Sequence, residues 1–244
     1  MATGHKHVPV VYVPELTPDS HSLIVEGDEA HHLLHVLRVR PGQPVELRNG
    51  NGIVGAGTIA TVQKKRLEIH VTQTTLVPSP TPAIHLIIAP IRPNRMEWLI
   101  EKATELGTAS ITPVATRHTA MERFNTERMT RVAISALKQS RRAYLPTIVP
   151  LQPWETWLAE TAAGDARHLA VVAHPGDAHP SLKETVTAAV KQVFIFIGPE
   201  GGFHAEEIAR LHDRGFQTVR LGNTILRTET AALAALAQLN LLFL

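Results

Sequence analysis

The residues able to do chemistry gather near the C-terminal end of the chain. Arg227 and Glu229 stand together in Ile225-Leu-Arg-Thr-Glu-Thr-Ala231. A guanidinium stabilises developing negative charge and a carboxylate can take up a proton, so the pair suits chemistry on a weak acid. Glu229 has a second reading, preferred here: an acid in the first turn of a helix, favoured by the helix dipole. Arg227 follows two apolar residues, and a charge in that setting needs a partner. Upstream, Gly198-Pro-Glu-Gly-Gly202 carries glycines that let a backbone turn sharply and let a ligand approach main-chain N–H groups. The same glycines read equally as those of an ordinary tight turn. Ala173-His-Pro-Gly176 and Leu221-Gly222 are two further short turns.

Other chemistries find little support. There is no G-x-G-x-x-G and no G-x-x-x-x-G-K-[ST], which argues against a dinucleotide or P-loop site. No G-x-S-x-G elbow is present, so a serine hydrolase is unsupported. The chain has no cysteine, which removes disulfides, thiolate metal sites and thiol nucleophiles. His31 and His35 are spaced to meet on a helix, with His32 between them, but no third ligand accompanies them. A surface or structural role is the better reading, and no metal site is expected. Lys138, Arg141 and Arg142 cluster at one place, Arg92 and Arg95 at another, and both groups suit phosphates. Arg38, Arg40, Lys64, Lys65 and Arg66 give the N-terminal part a basic face with few aromatics, so base stacking is not indicated.

The elements that must position these residues follow from pattern. Val193–Ile197 is a short apolar strand running into the glycine turn. His204–Arg214 is helical, with Ala205, Ile208 and Leu211 on one face, and Gly215 closes it. Thr218–Leu221 is a second strand, Gly222–Arg227 a second turn, and Ala231–Leu244 a helix apolar almost all round, buried or held in a subunit contact. Two strand-to-loop-to-helix units place both turns at one edge of a parallel sheet, where open α/β sheets bind ligands. Upstream, Ile84–Ala89, Ile111–Ala115 and Leu169–Ala173 read as strands. Pro93–Leu106, Glu127–Ala143 (Thr126 as N-cap), Pro153–Thr161 and Ser181–Val190 read as helices. That alternation implies a mostly parallel sheet covered on both faces. Residues 8–75 are β-rich instead. Val10–Val13, Val45–Arg48, Ile53–Val62 and Leu67–Val71 read as strands, Asn49-Gly-Asn-Gly52 as a hairpin turn, and Glu29–Val36 as a short helix. A small barrel is expected there. Residues 1–7 read as a flexible tail, and 76–83, rich in proline, as a linker.

The 244 residues suffice for two modest domains, here 1–75 and 84–244. A formal charge of +2 is by itself a weak argument for nucleic acid. No run approaches the roughly 18 apolar residues of a membrane span. The N-terminus lacks a signal-peptide core, and with the missing cysteine this fits the cytoplasm.

Taken together, Ile197-Gly-Pro-Glu-Gly-Gly-Phe203, then Leu221-Gly222 and Ile225–Ala231, resemble the signature of the SPOUT methyltransferases, and among them the 16S ribosomal RNA uridine-N3 methyltransferases. Arg95-Met-Glu-Trp-Leu-Ile-Glu-Lys-Ala-Thr-Glu-Leu-Gly107 is similar to that family's first long helix. His32–Gly42 resembles the entry to its PUA-like barrel, and Gln139-Ser140, Arg142 and Pro146 match a further block. The resemblance implies a PUA-like β-barrel before an α/β domain whose parallel sheet carries a trefoil knot. It implies a cytoplasmic homodimer that methylates N3 of a uridine near the decoding site of 16S ribosomal RNA, within the assembled small subunit, from S-adenosylmethionine. The cofactor would lie against Ala173, His174, Gly198, Pro199, Glu200, Gly201, Gly202, Leu221, Gly222, Ile225, Leu226 and Thr230. Glu200 either meets a cofactor hydroxyl or only holds its turn. Arg227 and Glu229 are the catalytic candidates, and Arg38, Arg95, Gln139 and Arg142 the RNA-binding ones.

Three positions depart from the family pattern. Thr224 stands where an arginine is usual, Lys138 where an acid precedes Gln-Ser, and His204 where a hydroxyl residue caps the helix. Two competing readings remain: methylation by the same fold of another base or a ribose 2′-hydroxyl, and an RNA-binding protein with a degenerate cofactor site. An unrelated nucleotide-binding α/β enzyme is a distant third.

Overall fold

The computed structural model describes residues 8–119, 123–161, 167–176, 178–187 and 189–243. Residues 1–7, read above as a tail, lie outside them. The chain divides into two compact units. One comprises residues up to Ser79 together with Leu137–Leu145, the other Pro80–Ala136 with Pro146–Leu244.

The first unit is a five-stranded sheet. Its strands are β1 (Val10–Tyr12), β2 (Ser22–Val25), β3 (Pro44–Arg48), β4 (Ile53–Val62) and β5 (Leu67–Leu76), in the order β1-β3-β4-β5-β2. All pairs are antiparallel except β1 with β3. Asn49–Gly52 joins β3 to β4, as its composition predicts, and the Asn49 side chain accepts from the main chain of Asn51 and Ile53. Register shifts at Ala56/Gly57 and Ile59/Thr61 mark bulges in β4, which bend a strand. Val11, Leu33, Leu47, Ile59, Leu67 and Ile69 form the interior. β2 was not anticipated: Ser-Leu-Ile-Val is too short for its alternation to stand out, and Ile24 is 62% exposed. The helix expected over Glu29–Val36 begins earlier, as α1 (Gly27–His31), and continues as a π-helical turn over His32–Val36.

The second unit is a parallel sheet. Its path runs β12 (Gln217–Val219), β10 (His168–Ala173), β11 (Gln192–Ile197), β6 (Ala83–Ile88), β7 (Ser110–Ala115) and β8 (Thr147–Ile148), with β9 (Gln152–Pro153) also paired to β7. Every one of these pairs is parallel. Alternate residues of a strand face opposite sides. Ile87, Val172 and Phe196 join Trp157 and Leu158 of α4 (Trp154–Glu160) and Leu211 of α6 (Ala205–Asp213) in one core. Leu86, Ile88, Ile195 and Ile197 point the other way and are buried too. On that side α7 (Thr228–Leu242) packs against β11, β6 and α2 (Pro93–Glu105). Met96, Leu99, Ile100 and Ala103 form the buried stripe of α2, and Asn240 of α7 donates to the Leu106 carbonyl at 2.9 Å.

Three helix expectations are corrected. α3 covers Thr126–Ser140, and its cap is Asn125, whose side chain accepts from Arg128 N at 2.9 Å, rather than Thr126. It ends at Ser140 because Arg141 turns left-handed (φ 56°) and Arg142 N closes back onto Leu137 O at 3.1 Å. α5 is only Leu182–Thr185, since Val186 is extended; the β-branched run Thr185-Val186-Thr187 favours that. His204 caps α6 despite lacking a hydroxyl: its Nδ1 accepts from Glu206 N, and Glu207 reaches back to His204 N at 2.8 Å.

Candidate functional site

The carboxyl ends of β10, β11 and β12 deliver three loops to one side of the second sheet, and between them lies a cavity of about 510 Å³. That volume is within the ~300–1,000 Å³ usual for small-molecule sites. Of the positions assigned to a cofactor by resemblance, Ala173, His174, Gly198, Pro199, Glu200, Gly202, Leu221, Gly222, Ile225 and Leu226 line it. Gly201 and Thr230 do not; both are exposed nearby in the chain. Pattern reading had not assigned Phe203, Pro175, Thr224, Thr228, Ala231 or Arg92 to this wall, and all line it. Pro175, Thr228 and Phe203 fall within or beside the motifs, so adjacency could have signalled them.

The glycines of the turn do different jobs. A Cβ on Gly198 would lie 2.7 Å from the Phe203 ring, so only glycine lets that ring fold under the turn. Gly202 sits at φ 72°, where a side chain is strained whatever the space. Gly201 faces His118, whose Cβ lies 3.2 Å from where an added Cβ would be. His118 comes from the loop after β7, and its Nδ1 donates to the Gly202 carbonyl at 3.0 Å. Arg117 N in the same loop donates to buried Glu207 at 2.8 Å. No sequence signal links these residues, which lie more than eighty positions apart.

Arg95 stands at the centre of the charged groups. Its Nη1 lies 3.2 Å from Glu200 Oε1 and 3.2 Å from Glu229 Oε1. One guanidinium therefore joins α2, the glycine turn and the first turn of α7. Thr228 Oγ1 adds a bond to the Gly198 carbonyl at 3.1 Å. Glu229 is 8% exposed, does not line the cavity, and its Oε2 is buried with no partner among the described residues. It sits behind Arg95 and within the dipole of α7. Arg227 occupies the position before α7 and lines the cavity, with no ion pair or hydrogen bond from its side chain among the described residues.

The remaining RNA-binding candidates lie in the first unit, whereas Arg95 belongs to the second. Arg38 and Gln139 are exposed, and Arg38 is left-handed at φ 52°. Arg142 is half-buried, and burial pushes its guanidinium below its ordinary value. Lys138 forms an ion pair with Glu29, itself an acceptor for Tyr12 N, so this departure from the pattern has a structural use in the first unit. Arg40, Lys64, Lys65 and Arg66 are all exposed. His31 and His35 contact each other at 4.7 Å, and no group of three metal-binding side chains exists among the described residues.

Residues 77–240 match the RNA methyltransferase domain family, and residues 25–72 the RNA methyltransferase PUA domain. This chain belongs to that RNA methyltransferase family. It is 30% identical to the ribosomal RNA small subunit methyltransferase E of Mycobacterium bovis, over 96% of this chain and 92% of the relative. It is similar to the crystal structure of a ribosomal RNA small subunit methyltransferase E from Neisseria gonorrhoeae bound to S-adenosyl methionine. There the TM-score is 0.87 and the identity 28%, over 97% of this chain and 98% of that one. A second similar structure is a putative methyltransferase of Legionella pneumophila in complex with the same cofactor, with TM-score 0.85 and 28% identity over 96% and 97%. The α/β fold, the parallel sheet and the N-terminal PUA-like domain expected by resemblance are those of this family.

Proposed function

We propose that this chain methylates N3 of a uridine in 16S ribosomal RNA, using S-adenosylmethionine, on the assembled small subunit. The observation that carries the reading is the cavity, built from three strand-end loops of a parallel sheet and matching over almost the whole chain a fold that holds this cofactor in a relative.

The residues present fit such a cofactor. Gly198 and Gly202 keep the turn low, so main-chain groups can approach a ligand. Ile197, Leu221, Ile225 and Leu226 give an apolar slot, and Ile225, 88% exposed at the cavity, is an apolar side chain that a planar group would cover. Glu200 is the one carboxylate lining the cavity among the described residues, and its Oε2 has no partner among them. It suits a hydroxyl or a positive charge. When bound, the cofactor supplies a methyl group already activated on a sulfonium, so the protein's work is to hold, orient and exclude water.

The acceptor sets a second demand. Uracil N3–H is a weak acid, and negative charge develops on the base as its proton leaves. Arg227 lines the cavity with no side-chain partner among the described residues, which supports a role in stabilising that charge. Glu229 serves by holding Arg95, not by taking the proton. Among the described residues no helix is long and apolar enough to cross a membrane, and the proposed setting is the cytoplasm. A homodimer is proposed as well. Trp98 on α2 (46% exposed) and Leu241 on α7 (72% exposed) support it, because they leave apolar surface on two helices that pack together. The return of α7 from the sheet edge at β12 to its centre supports the knot.

The test is transfer of labelled methyl from S-adenosylmethionine to small subunits that lack the modification, followed by nucleoside analysis. Label in 3-methyluridine is expected. Label in another nucleoside would move the substrate, and absence of both label and cofactor binding would overturn the reading.

A further inference from the structure

Among the described residues three arginines line the cavity, and their surroundings make them unequal. Arg95 is committed: one of its nitrogens holds Glu200 and Glu229 together, so its charge is balanced within the protein. Arg227 lies between half-buried Leu226 and buried Thr228, and Thr228 is bonded to the glycine turn. Its backbone is therefore fixed at the cavity wall. Arg92 differs from both. It precedes α2, lines the cavity, and is followed by exposed Pro93 and Asn94, which puts it on the rim. Its side chain makes no ion pair or hydrogen bond among the described residues.

We propose that Arg92 binds a phosphodiester of the acceptor RNA at the rim of the cavity, while Arg227 serves the base and Arg95 the cofactor loop. This rests on the methyl-transfer reading above. The cofactor carries a sulfonium and an ammonium against one carboxylate, so it brings no net negative charge to balance two uncommitted guanidiniums. A nucleotide acceptor brings such charge in two places, the base as it loses its proton and the backbone phosphate. The base has to enter the cavity, whereas the phosphate is strongly hydrated and stays outside. Both arginines are exposed, but Arg227 has cavity-lining residues on either side, Leu226 and Thr228, whereas the neighbours of Arg92, Ile91 and Pro93, do not line the cavity; Arg227 therefore meets the base and Arg92 the phosphate.

The experiment measures binding of the full chain to small ribosomal subunits lacking the modification, across a range of salt concentrations, with S-adenosylmethionine affinity measured separately by calorimetry. Arg92→Ala should weaken subunit binding about tenfold at low salt, as expected for one charge-assisted contact. It should lower the slope of log affinity against log salt by about 0.7 to 0.9. The loss should fall on KM for subunits, with cofactor affinity unchanged, and Arg92→Lys should restore the slope. Arg210→Ala makes the same change of net charge at a residue that does not line the cavity and is paired with Glu155, and should leave the slope as it is. Arg95→Ala should instead weaken the cofactor, and Arg227→Ala should lower kcat. Unchanged affinity and slope in Arg92→Ala would overturn the proposal, as would an equal loss in Arg210→Ala. A loss confined to cofactor affinity would give Arg92 to the cofactor carboxylate and also overturn it. Failure of the unaltered chain to bind cofactor or transfer methyl would sink the functional reading itself, and this inference with it.

Discussion

Replacing Gly198 with alanine is the sharpest test of how the glycine turn is built. The new Cβ would lie 2.7, 2.9 and 3.2 Å from the Cε2, Cδ2 and Cζ atoms of Phe203. Ordinary contact begins near 3.4 Å, so the worst overlap is about 0.7 Å. The ring has little room to yield. It rests edge-on against Phe196, with centroids 5.0 Å apart and planes at 85°, and Phe196 is fully buried. On the other side the turn is tied to α7 through Thr228. Overpacking of this kind costs about 1–3 kcal/mol. If the turn absorbs it by shifting away from the cavity, cofactor affinity falls by roughly 5- to 150-fold. Calorimetric titration of S-adenosylmethionine into the unaltered chain, Gly198→Ala, Phe203→Ala and the double variant measures this. Phe203 lines the cavity, so its removal alone weakens binding. The double variant, freed of the clash, should bind no worse than Phe203→Ala, a strongly non-additive result. Wild-type affinity in Gly198→Ala, or simple additivity in the double variant, would refute the reasoning.

Other expectations follow from the same geometry. Gly201→Val should weaken the cofactor only a few-fold, because its side chain meets exposed His118 on a neighbouring loop and not the cavity; calorimetry beside Gly198→Ala checks the contrast. Glu229→Gln removes the charge that holds Arg95 and should cost about 1 kcal/mol of stability, discounted for the partial exposure of Arg95, as read by denaturant titration. It should weaken cofactor binding while leaving the pH dependence of kcat unchanged, whereas loss of an ionisation from that profile would make Glu229 the proton acceptor after all. His85 offers a pH test. Burial first, and then the nearby His168, lower its pKa from the usual value. Its Nδ1 meets Ser110 Oγ at 2.8 Å, its ring stacks on Phe194, and its Nε2 is buried without a partner among the described residues. The unfolded chain therefore takes up this proton more readily than the folded one. Stability from His85 is complete above about pH 6.5 and is lost as pH falls below that value through the lowered folded one. Thermal melts from pH 7.5 to 5 should show a shallower loss in His85→Gln, and an identical slope would remove His85 as the cause.

Much of this protein is legible in order along the chain. The alternation of apolar strands with periodic helices specifies a parallel sheet because both periods are local properties of consecutive residues. The turns at Ala173–Gly176, Gly198–Gly202 and Leu221–Leu226 end three such strands, so their meeting at one sheet edge follows from direction alone. Local competition already escapes this reading: α5 stops after Thr185 because a β-branched run tips a small balance, and α3 takes its cap from Asn125 one residue earlier than expected. What only the tertiary structure decides is which side chains share an environment. Gly201 and Gly202 are neighbours, yet one faces His118 and the other the cavity. Arg92, Arg95 and Arg227 are the same residue to a pattern, but burial and long-range pairing commit one and leave two uncommitted. Glu229, which pattern reads as a candidate base or a helix-dipole acid, is also a buried ion-pair partner of Arg95, which lies far away in sequence and 3.2 Å from it. Such pairings depend on distances that the fold sets across many residues of chain, and one-dimensional spacing does not contain them.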